Sequence, residues 1–392
     1  MLILSIPMKL SAQFHSKDSI KINTRLEDNT PLGNKYNFDA PLLLMASGLA
    51  ITSFDHRMDN IRDLNYPNFH QGYDDYTQYL PAALMFSLKA AGVKSKSSWK
   101  DMLISDALSV AIVAASVNSI KYSVKRLRPD GSAYNSFPSG HTATAFMTAT
   151  MLHKEYGHRN PWYSIGAYLC AGATGFTRHL NNRHWLGDIF MGAGIGSMSV
   201  ELAYLLNDVI FKTPHSTTFF IPQNTRDLKP SFISYNLGIR NHLTADKDEF
   251  KMTGGSMIAI EGAYYPFKKI GFGGMIGMTS YQCKKENVGT VFLYGNYSAN
   301  LGIYHSEPIS KCFRIENKAL IGGIFNSKTS IINGNLPKNA KLNYTIGTSF
   351  AYWTNENLQF KLFCDYILTP NFIESTSLQE LSIGLSTKLM LD

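Results

Sequence analysis

Apolar residues recur at helical spacing through the first half of the chain and predict a bundle of five or six helices. Segments rich in Ala, Leu and Met, which favour helices, alternate with polar turns. The predicted helices cover residues 40–54, 78–93, 102–120, 142–155, 161–175 and 186–207. None of them offers the roughly 20 uninterrupted apolar residues of a typical membrane span. We therefore expect the bundle to be buried in itself or to skim a membrane.

The pattern changes near residue 215, where apolar and polar residues begin to alternate one by one, as they do in strands. In KLNYTIGTSFAYW, large apolar side chains occupy every second position except at Thr348, and small or polar ones lie between them. The stretch NLQFKLFCDYI repeats the alternation, with Phe363 as an exception. These stretches predict strands over 341–354 and 357–368, joined by a tight turn at Asn355 and Glu356.

The face of these strands opposite the apolar one favours a membrane barrel over a sandwich. It is rich in Gly, Ser and Thr, and the strands have about the ten residues that a tilted strand needs to cross a bilayer. The sequence thus predicts an antiparallel barrel of about eight strands, of the outer-membrane type. The residues expected to face lipid are Leu358, Phe360 and Leu362, and those expected inside, near enough to pair, are Lys361 and Asp365. A sandwich, which would bury Phe360 and Leu362 against a second sheet, stays open as the alternative.

Composition narrows the class of protein and of partner. A hydrophobic content of 44% over 392 residues excludes a disordered chain. The net charge of +8 favours anionic partners such as phosphorylated substrates and lipid headgroups. No stretch resembles a nucleic-acid-binding module, so no nucleic acid partner is expected. The four cysteines form no C-x-x-C pair, and whether Cys283 and Cys312 are bonded stays open.

The N-terminus, MLILSIPMKLSAQF, resembles the end of a secretory signal with a small-residue cleavage site at Ser11-Ala12-Gln13. A frayed apolar terminus is the alternative. We therefore expect a signal peptide remnant over 1–13, a helical domain over 36–212 and a barrel over 225–392.

The helical half contains three stretches with candidate chemistry, of which the first, KYSVKRLRP, is basic. Its Lys121, Lys125 and Arg128 are spaced i, i+4 and i+7, which predicts one basic helix face that Pro129 ends. Such a face is commonly only solvated. Arg and Lys are also the side chains that bind phosphate.

The second stretch is PSGH, residues 138–141. Ser139 is a favourable N-cap, and the free N–H groups of a helix start bind anions. Gly140 would let the backbone approach such an anion closely. His141 would then lie beside the anion on the first turn of the helix. A plain N-cap followed by a surface histidine is the alternative for this stretch alone.

The third stretch is TRHLNNRHWLGD, residues 177–188. His184 and Asp188 are four residues apart on one predicted helix face. A carboxylate behind an imidazole fixes its tautomer and raises its basicity, which a histidine nucleophile requires. Arg178 adds a guanidinium that can bind phosphate. An exposed His–Asp pair without function is the alternative for this stretch alone.

Together the three stretches, K-x6-RP, PSGH and R-x5-H-x3-D, resemble the type 2 phosphatidic acid phosphatase superfamily. That superfamily also contains bacterial acid phosphatases, glucose-6-phosphatases and vanadium haloperoxidases. The resemblance covers roughly residues 75–210 and implies a helical bundle, hydrolysis without a metal or other cofactor, and a phosphohistidine intermediate.

The resemblance also implies a role for each matching residue. His184 resembles the nucleophile, Asp188 its orienting partner and His141 the general acid that protonates the leaving oxygen. The residues that resemble a phosphate cradle are Lys121, Arg128, Ser139, Gly140 and Arg178. Two departures are mild: Thr177 replaces the usual Ser before the arginine, and the segment from Pro129 to Pro138 is short.

We therefore expect a metal-independent phosphatase that hydrolyses phosphomonoester or pyrophosphate groups of membrane lipids or lipopolysaccharide. The expected location is the outer membrane, with the helical catalytic domain in the periplasm. Two alternatives stay open: a vanadate-dependent haloperoxidase on the same scaffold, and a structural barrel protein whose phosphatase half is inactive. A soluble phosphomonoester also remains possible as the substrate.

Overall fold

The computed structural model describes residues 36–211, 230–243, 250–285, 291–310, 312–326, 340–353, 358–373 and 376–390. The helices are α1 (Asp39–Thr52), α2 (Asp55–Asn65), α3 (Asp74–Thr77), α4 (Leu80–Ala90), α5 (Trp99–Val124), α6 (Gly140–Tyr156), α7 (Pro161–Leu180) and α8 (Leu186–Phe211). The strands are β1 (Phe232–His242), β2 (Phe250–Tyr264), β3 (Ile270–Lys285), β4 (Val291–Pro308), β5 (Phe313–Asn326), β6 (Lys341–Trp353), β7 (Leu358–Ile373) and β8 (Thr376–Met390). The predicted signal remnant, the turn at 355–356 and the side chain of Cys283 lie outside the described residues.

All six predicted helices are present, and two further ones, α2 and α3, were not predicted. The stretch DHRMDNIRDLN of α2 carries too few apolar residues to show helical periodicity, and α3 is only four residues long. The helix end in the basic stretch also differs from the prediction. Helix α5 stops at Val124 because Lys125 adopts a left-handed conformation, so Arg128 lies in the following loop rather than on the helix face.

Helices α5 to α8 form an antiparallel bundle, and different connections meet at its two ends. At one end the α5–α6 and α7–α8 connections meet, and the N–H of Asp130 donates to the carbonyl of Asn182 at 3.1 Å. At the other end the N–H of Lys96 donates to the carbonyl of Glu155 at 3.1 Å. All three sequence stretches with candidate chemistry therefore lie at the first end of the bundle.

Glycines in α8 allow it to pack closely against its neighbours. A Cβ added at Gly196 would lie 2.1 Å from the carbonyl oxygen of Ala143 in α6. A Cβ at Gly194 would lie 2.4 Å from Met45 in α1, on the other side of α8. The stretch GAGIGS thus serves helix packing.

Two of the described helices, α5 and α8, are long and apolar enough to cross a membrane by length and composition. The sequence offers no run of about 20 uninterrupted apolar residues, and these two helices are apolar enough on average although α5 contains Asp106 and α8 contains Glu201. Helix α5 extends beyond the predicted residues 102–120 at both ends, and its acidic residue Asp106 is buried. Most of α8 is enclosed in the bundle, whereas most of α5 is not.

The eight strands form a closed antiparallel barrel in sequence order, with β1 hydrogen-bonded to β8. The closed barrel confirms the predicted fold and excludes the sandwich. Alternation along β6 directs Leu342, Ile346 and Phe350 outward, where their exposed fractions are 49%, 65% and 46%. Asn343 and Thr345 are buried in the interior.

The interior of the barrel holds charged side chains that neutralise one another. Lys361 and Asp365 are buried inside as predicted, and Leu362 between them faces outward, 55% exposed. The expected Lys361–Asp365 pair does not form. Lys361 instead contacts Glu261 at 2.8 Å, and Asp365 contacts Lys318 at 2.9 Å. Residues four apart on one strand are about 13 Å apart, so partners on other strands are closer.

The helical bundle lies against the outer wall of the barrel. Leu237 points outward from β1 but is only 4% exposed, because it is covered by Ile51, Met58, Leu186 and Ile189 of the bundle. The hydroxyl of Tyr297 in β4 donates to Asn65 at the end of α2 at 2.6 Å. The hydroxyl of Tyr352 in β6 donates to Asp39 at the start of α1 at 3.2 Å.

Candidate active site

The structure brings the predicted site residues together at the end of the bundle where the loops meet. Lys121 comes from the last turn of α5, Arg128 from the loop after it, and Arg178 from the last turn of α7. Ser139, Gly140 and His141 form the start of α6, and His184 and Asp188 flank the start of α8. The N–H of Ser139 donates to the carbonyl of Asp188 at 3.0 Å, which joins the starts of α6 and α8.

His184 is fixed by a backbone acceptor. Its side chain is 2% exposed, and its Nδ1 lies 2.8 Å from the carbonyl oxygen of Ser136. A carbonyl oxygen only accepts, so Nδ1 carries the proton and Nε2 keeps its lone pair. Burial lowers the pKa of His184 to about 4, so the imidazole is neutral at pH 7. The ring is therefore in the tautomer that a nucleophilic Nε2 needs.

Asp188 supports His184 at a longer distance than the sequence suggested. Its Oδ2 lies 3.6 Å from His184 Nδ1. The same carboxylate accepts from the hydroxyl of Ser136 and from the N–H of Trp185 at 3.0 Å. Asp188 thus holds Ser136, whose carbonyl faces His184 Nδ1, and the backbone N–H of Trp185, which follows His184. It also places a negative charge beside the imidazole ring.

Arg126 is a site residue that the sequence analysis missed. One guanidinium nitrogen contacts Asp188 at 2.9 Å, and another contacts Asp55 at the start of α2 at 2.9 Å. Asp55 also accepts from the N–H of Gly187 at 2.9 Å. Burial raises the pKa of Asp55 to about 6 despite Arg126. Arg126 lies inside the basic stretch KYSVKRLRP, but the sequence does not show that this arginine bridges two carboxylates rather than facing solvent.

Three cations converge beside His184. The charges of Arg128 and Arg178 act on Lys121, and those of Lys121 and Arg178 act on His184. Burial and the neighbouring Arg178 lower the pKa of Arg128. The ammonium group of Lys121 donates to the carbonyl of Asn135, whose side-chain oxygen accepts from Arg128 Nε at 2.8 Å. An anion bound here would relieve the mutual repulsion of these cations.

The start of α6 leaves its backbone accessible. The hydroxyl of Ser139 caps the helix by accepting from the N–H of Thr142 at 3.4 Å. A Cβ added at Gly140 would meet only Val117, at an ordinary 3.8 Å, so the protein does not fill this space itself. The N–H groups of a helix start that is open in this way can bind a phosphate oxygen.

His141 has an acidic partner that the sequence analysis did not name. Its Nε2 lies 2.7 Å from Asp75 in α3. The adjacent Asp74 is buried and contacts Arg178 at 2.6 Å. Asp74 and Asp75 come some sixty residues before the PSGH stretch, and nothing in their spacing predicts that they reach it.

The described residues contain no group of three or more His, Cys, Asp or Glu side chains arranged to hold a metal ion. The site offers a neutral buried imidazole, a second imidazole with a carboxylate partner, and clustered cations. That set suits transfer of an anionic group, in which catalysis depends on charge stabilisation and positioning.

A family model and a curated protein are similar to parts of this chain. Residues 103–211 match the family model of the PAP2 superfamily. A lipid A 1-phosphatase from Porphyromonas gingivalis is 42% identical over 215 residues, which are 54% of this chain and 47% of that protein. The chain thus spans about half the length of this curated relative.

Two solved structures align with one half each. LpxE from Aquifex aeolicus is 23% identical and aligns over 36% of this chain and 91% of that chain, with a TM-score of 0.29. The outer membrane protein OprG from Pseudomonas aeruginosa is 10% identical and aligns over 42% and 98%, with a TM-score of 0.32. The helical half of this chain is thus similar in sequence to the PAP2 superfamily over residues 103–211, and it is joined to a closed barrel of eight strands.

Proposed function

We propose that this protein is a metal-independent phosphatase of the outer membrane that hydrolyses phosphate groups of membrane lipids through a phosphohistidine. The observation that carries the proposal is the contact of His184 Nδ1 with the Ser136 carbonyl, which leaves the Nε2 lone pair free in a ring on which the charges of Lys121 and Arg178 act. Lipid A is the first substrate to test, because the curated relative is a lipid A 1-phosphatase.

The first step of the proposed reaction forms a phosphoenzyme. Nε2 of His184 attacks phosphorus while the bond to the lipid oxygen breaks, and protonated His141 gives its proton to that oxygen. Lys121, Arg128 and Arg178 stabilise the charge on the transferred phosphoryl group. The lipid alcohol leaves, and the phosphoryl group stays on His184.

The second step releases phosphate. Neutral His141 accepts a proton from a water molecule, whose oxygen attacks the phosphorus. The bond to His184 Nε2 breaks, and the imidazole recovers its lone pair. Inorganic phosphate leaves, and both histidines have returned to their starting protonation states.

The phosphoenzyme can be trapped in the purified full chain in detergent, with EDTA present. In His141→Ala, p-nitrophenyl phosphate should still transfer its phosphoryl group, because p-nitrophenolate leaves without a proton. Breakdown of the intermediate then lacks its base, so labelled phosphate should accumulate on the protein in an acid-labile, alkali-stable form. His184→Ala should give no such label and lose about four or more orders of magnitude in kcat.

The matched control is His158→Ala, which removes an exposed histidine between α6 and α7 and should leave turnover unchanged. Label on His184→Ala, or activity that requires a divalent ion after EDTA treatment, would contradict the proposal. Bromide oxidation on addition of vanadate, without phosphate release, would favour the haloperoxidase alternative.

A further inference from the structure

The bundle carries an uncharged outer surface that ends in aromatic residues. Along the exposed face of α5, no charged side chain occurs between Asp101 and Lys121 except the buried Asp106. Trp99 and Tyr122 lie at the two ends of this face, 47% and 77% exposed, with Leu103 and Val110 exposed between them. At 1.5 Å per residue, Trp99 and Tyr122 are about 35 Å apart, close to the separation of the two interfaces of a bilayer. Trp and Tyr favour those interfaces.

Helix α7 carries a second uncharged face that ends in aromatic residues. Trp162 at its start is 73% exposed, Leu169 in its middle 68% and Phe176 near its end 40%. No charged residue occurs from Trp162 to Thr177, and Arg178 follows directly. The cations of the candidate site, Arg178 in α7 and Lys121 in α5, therefore both lie just beyond one edge of the uncharged surface. That edge is where the phosphates of lipid headgroups would lie.

The bundle packs against the lipid-facing wall of the barrel at Leu237, through Ile51, Met58, Leu186 and Ile189. A bundle held beside the wall of a membrane barrel at mid-strand lies at membrane depth. From the sequence alone we expect a periplasmic bundle. The packing against the barrel wall instead favours a position beside the barrel, with lipid as the partner of the exposed faces of α5 and α7.

The direction of the bundle follows from its contacts. The hydroxyl of Tyr352 donates to Asp39 at the start of α1. Tyr352 is the last residue but one of β6, so it lies at the barrel end where β1 begins and β8 ends. Helix α1 runs antiparallel to α8, since Gly194 faces Met45 and Gly187 faces Thr52. The start of α8, which carries Asp188, therefore points away from the barrel end where β1 begins and β8 ends.

The opposite barrel end carries the longest connection between strands, residues 327–340 from β5 to β6. In bacterial outer-membrane barrels, the periplasmic turns are short and the longer loops are extracellular. The end of the bundle with the candidate site thus points toward the extracellular side.

We propose that the helical bundle is embedded in the outer membrane beside the barrel, with its phosphate site at headgroup level in the cell-surface leaflet. The ligand is the phosphorylated lipid of that leaflet. This inference rests on the proposed phosphatase function for its substrate, but the location is measured without any activity assay.

Single cysteines at the two ends of the bundle test the orientation in intact cells. Ser132→Cys is exposed in the loop at the site end, and Lys94→Cys is exposed at the other end. A membrane-impermeant maleimide should label residue 132 in intact cells and residue 94 only after the outer membrane is permeabilised. The unsubstituted protein gives the background from its own cysteines.

Each other labelling pattern overturns the proposal in a different way. Labelling of neither residue before permeabilisation indicates a periplasmic bundle, and labelling of residue 94 alone indicates the opposite orientation. Labelling of both in intact cells indicates a bundle outside the membrane. Failure of the phosphatase function would appear in the His184→Ala assay, independently of these patterns.

A second measurement tests lipid contact directly. A nitroxide on Val110→Cys in proteoliposomes should show the high oxygen and low aqueous-reagent accessibility of a lipid-facing site, like the barrel position Leu362→Cys. Val117→Cys, which is 7% exposed on the same helix, is the buried control. Aqueous accessibility at residue 110 equal to that of a surface loop would overturn the proposed embedding.

Discussion

At the scale of single residues, the reactive histidines of the candidate site are oriented by neighbouring oxygen atoms: the Ser136 carbonyl for His184 and the Asp75 carboxylate for His141. The spacing of His184 and Asp188 predicted a direct partnership, whereas the acceptor for Nδ1 is the carbonyl of Ser136 at 2.8 Å. Every residue has a carbonyl, so no residue type marks that role. The same limit applies to Asp55 and Asp75, which reach the site through tertiary packing from separate helices.

Asp75 should matter through His141. Its carboxylate, 2.7 Å from Nε2, stabilises the protonated ring that a general acid requires. Segment 73–77 is fixed on α7, since Asp74 contacts Arg178 at 2.6 Å and Thr77 contacts Thr174 at 2.8 Å. Asp75→Asn should lower kcat about tenfold on lipid or alkyl phosphates and much less on p-nitrophenyl phosphate, because only the poor leaving groups need the proton.

A merely structural role for Asp75 would lower turnover of both kinds of substrate equally. Asp75→Glu should recover part of the loss, and Asp75→Asn should add nothing in a His141→Ala background. Glu307→Gln, which removes an equal charge from an exposed barrel pair, is the control. Higher activity of Asp75→Asn on all substrates would show instead that Asp75 competes with phosphate for Arg178, which lies 3.9 Å away.

At the scale of elements, periodicity predicted the helices and strands well where one face is apolar. It failed at α2, whose polar sequence DHRMDNIRDLN has too few apolar residues to show a helical period, and at the end of α5. There the left-handed Lys125 stops the helix before Pro129, and the loop gained in this way carries Arg126 and Arg128 into the site. Pro129 predicted the helix boundary, but the left-handed residue that ends the helix is Lys125, four residues earlier.

The glycines of α8 give a prediction about helix packing. Gly196→Ala places a methyl group 2.1 Å from the Ala143 carbonyl, so α6 and α8 must separate. We expect a loss of about 1–3 kcal/mol in the free energy of unfolding, measured as a lower midpoint of thermal unfolding in detergent. Activity should fall as well, because Ser139 and Asp188 sit on these two helices.

Gly166→Ala is the matched control on α7, since no atom lies within 4 Å of the added methyl group. It should leave stability unchanged or raise it by about 0.4–1 kcal/mol, because alanine restricts the unfolded chain. Equal midpoints for the two variants would contradict the close packing of α6 and α8.

At the scale of the whole molecule, the sequence predicted both halves but not their arrangement. Outward-facing Leu237 and Leu301 belong to the same alternating pattern, yet Leu237 is 4% exposed and Leu301 is 71% exposed. An apolar residue suits lipid and a packed helix equally, so alternation cannot tell which of the two covers it. Likewise, the alternation along β7 predicts that Lys361 and Asp365 lie inside the barrel. Their partners, Glu261 and Lys318, lie on other strands and depend on how the barrel closes.

The arrangement of the two halves can be tested by cross-linking. Asn65 at the end of α2 and Tyr297 in β4 are joined by a hydrogen bond of 2.6 Å between side chains. In the double variant Asn65→Cys/Tyr297→Cys, a short bismaleimide should join the two positions within one chain. Protease cleavage between the halves, in the 212–229 segment, should then leave them covalently linked. Because neither residue belongs to the candidate site, phosphatase activity should persist after linking.

The control pair is Asn65→Cys with Leu301→Cys. Leu301 also points outward from β4, but the bundle does not cover it, so this pair should link poorly. Equal linking of both pairs would mean that the bundle moves freely around the barrel, and the fixed orientation inferred from these contacts would be wrong.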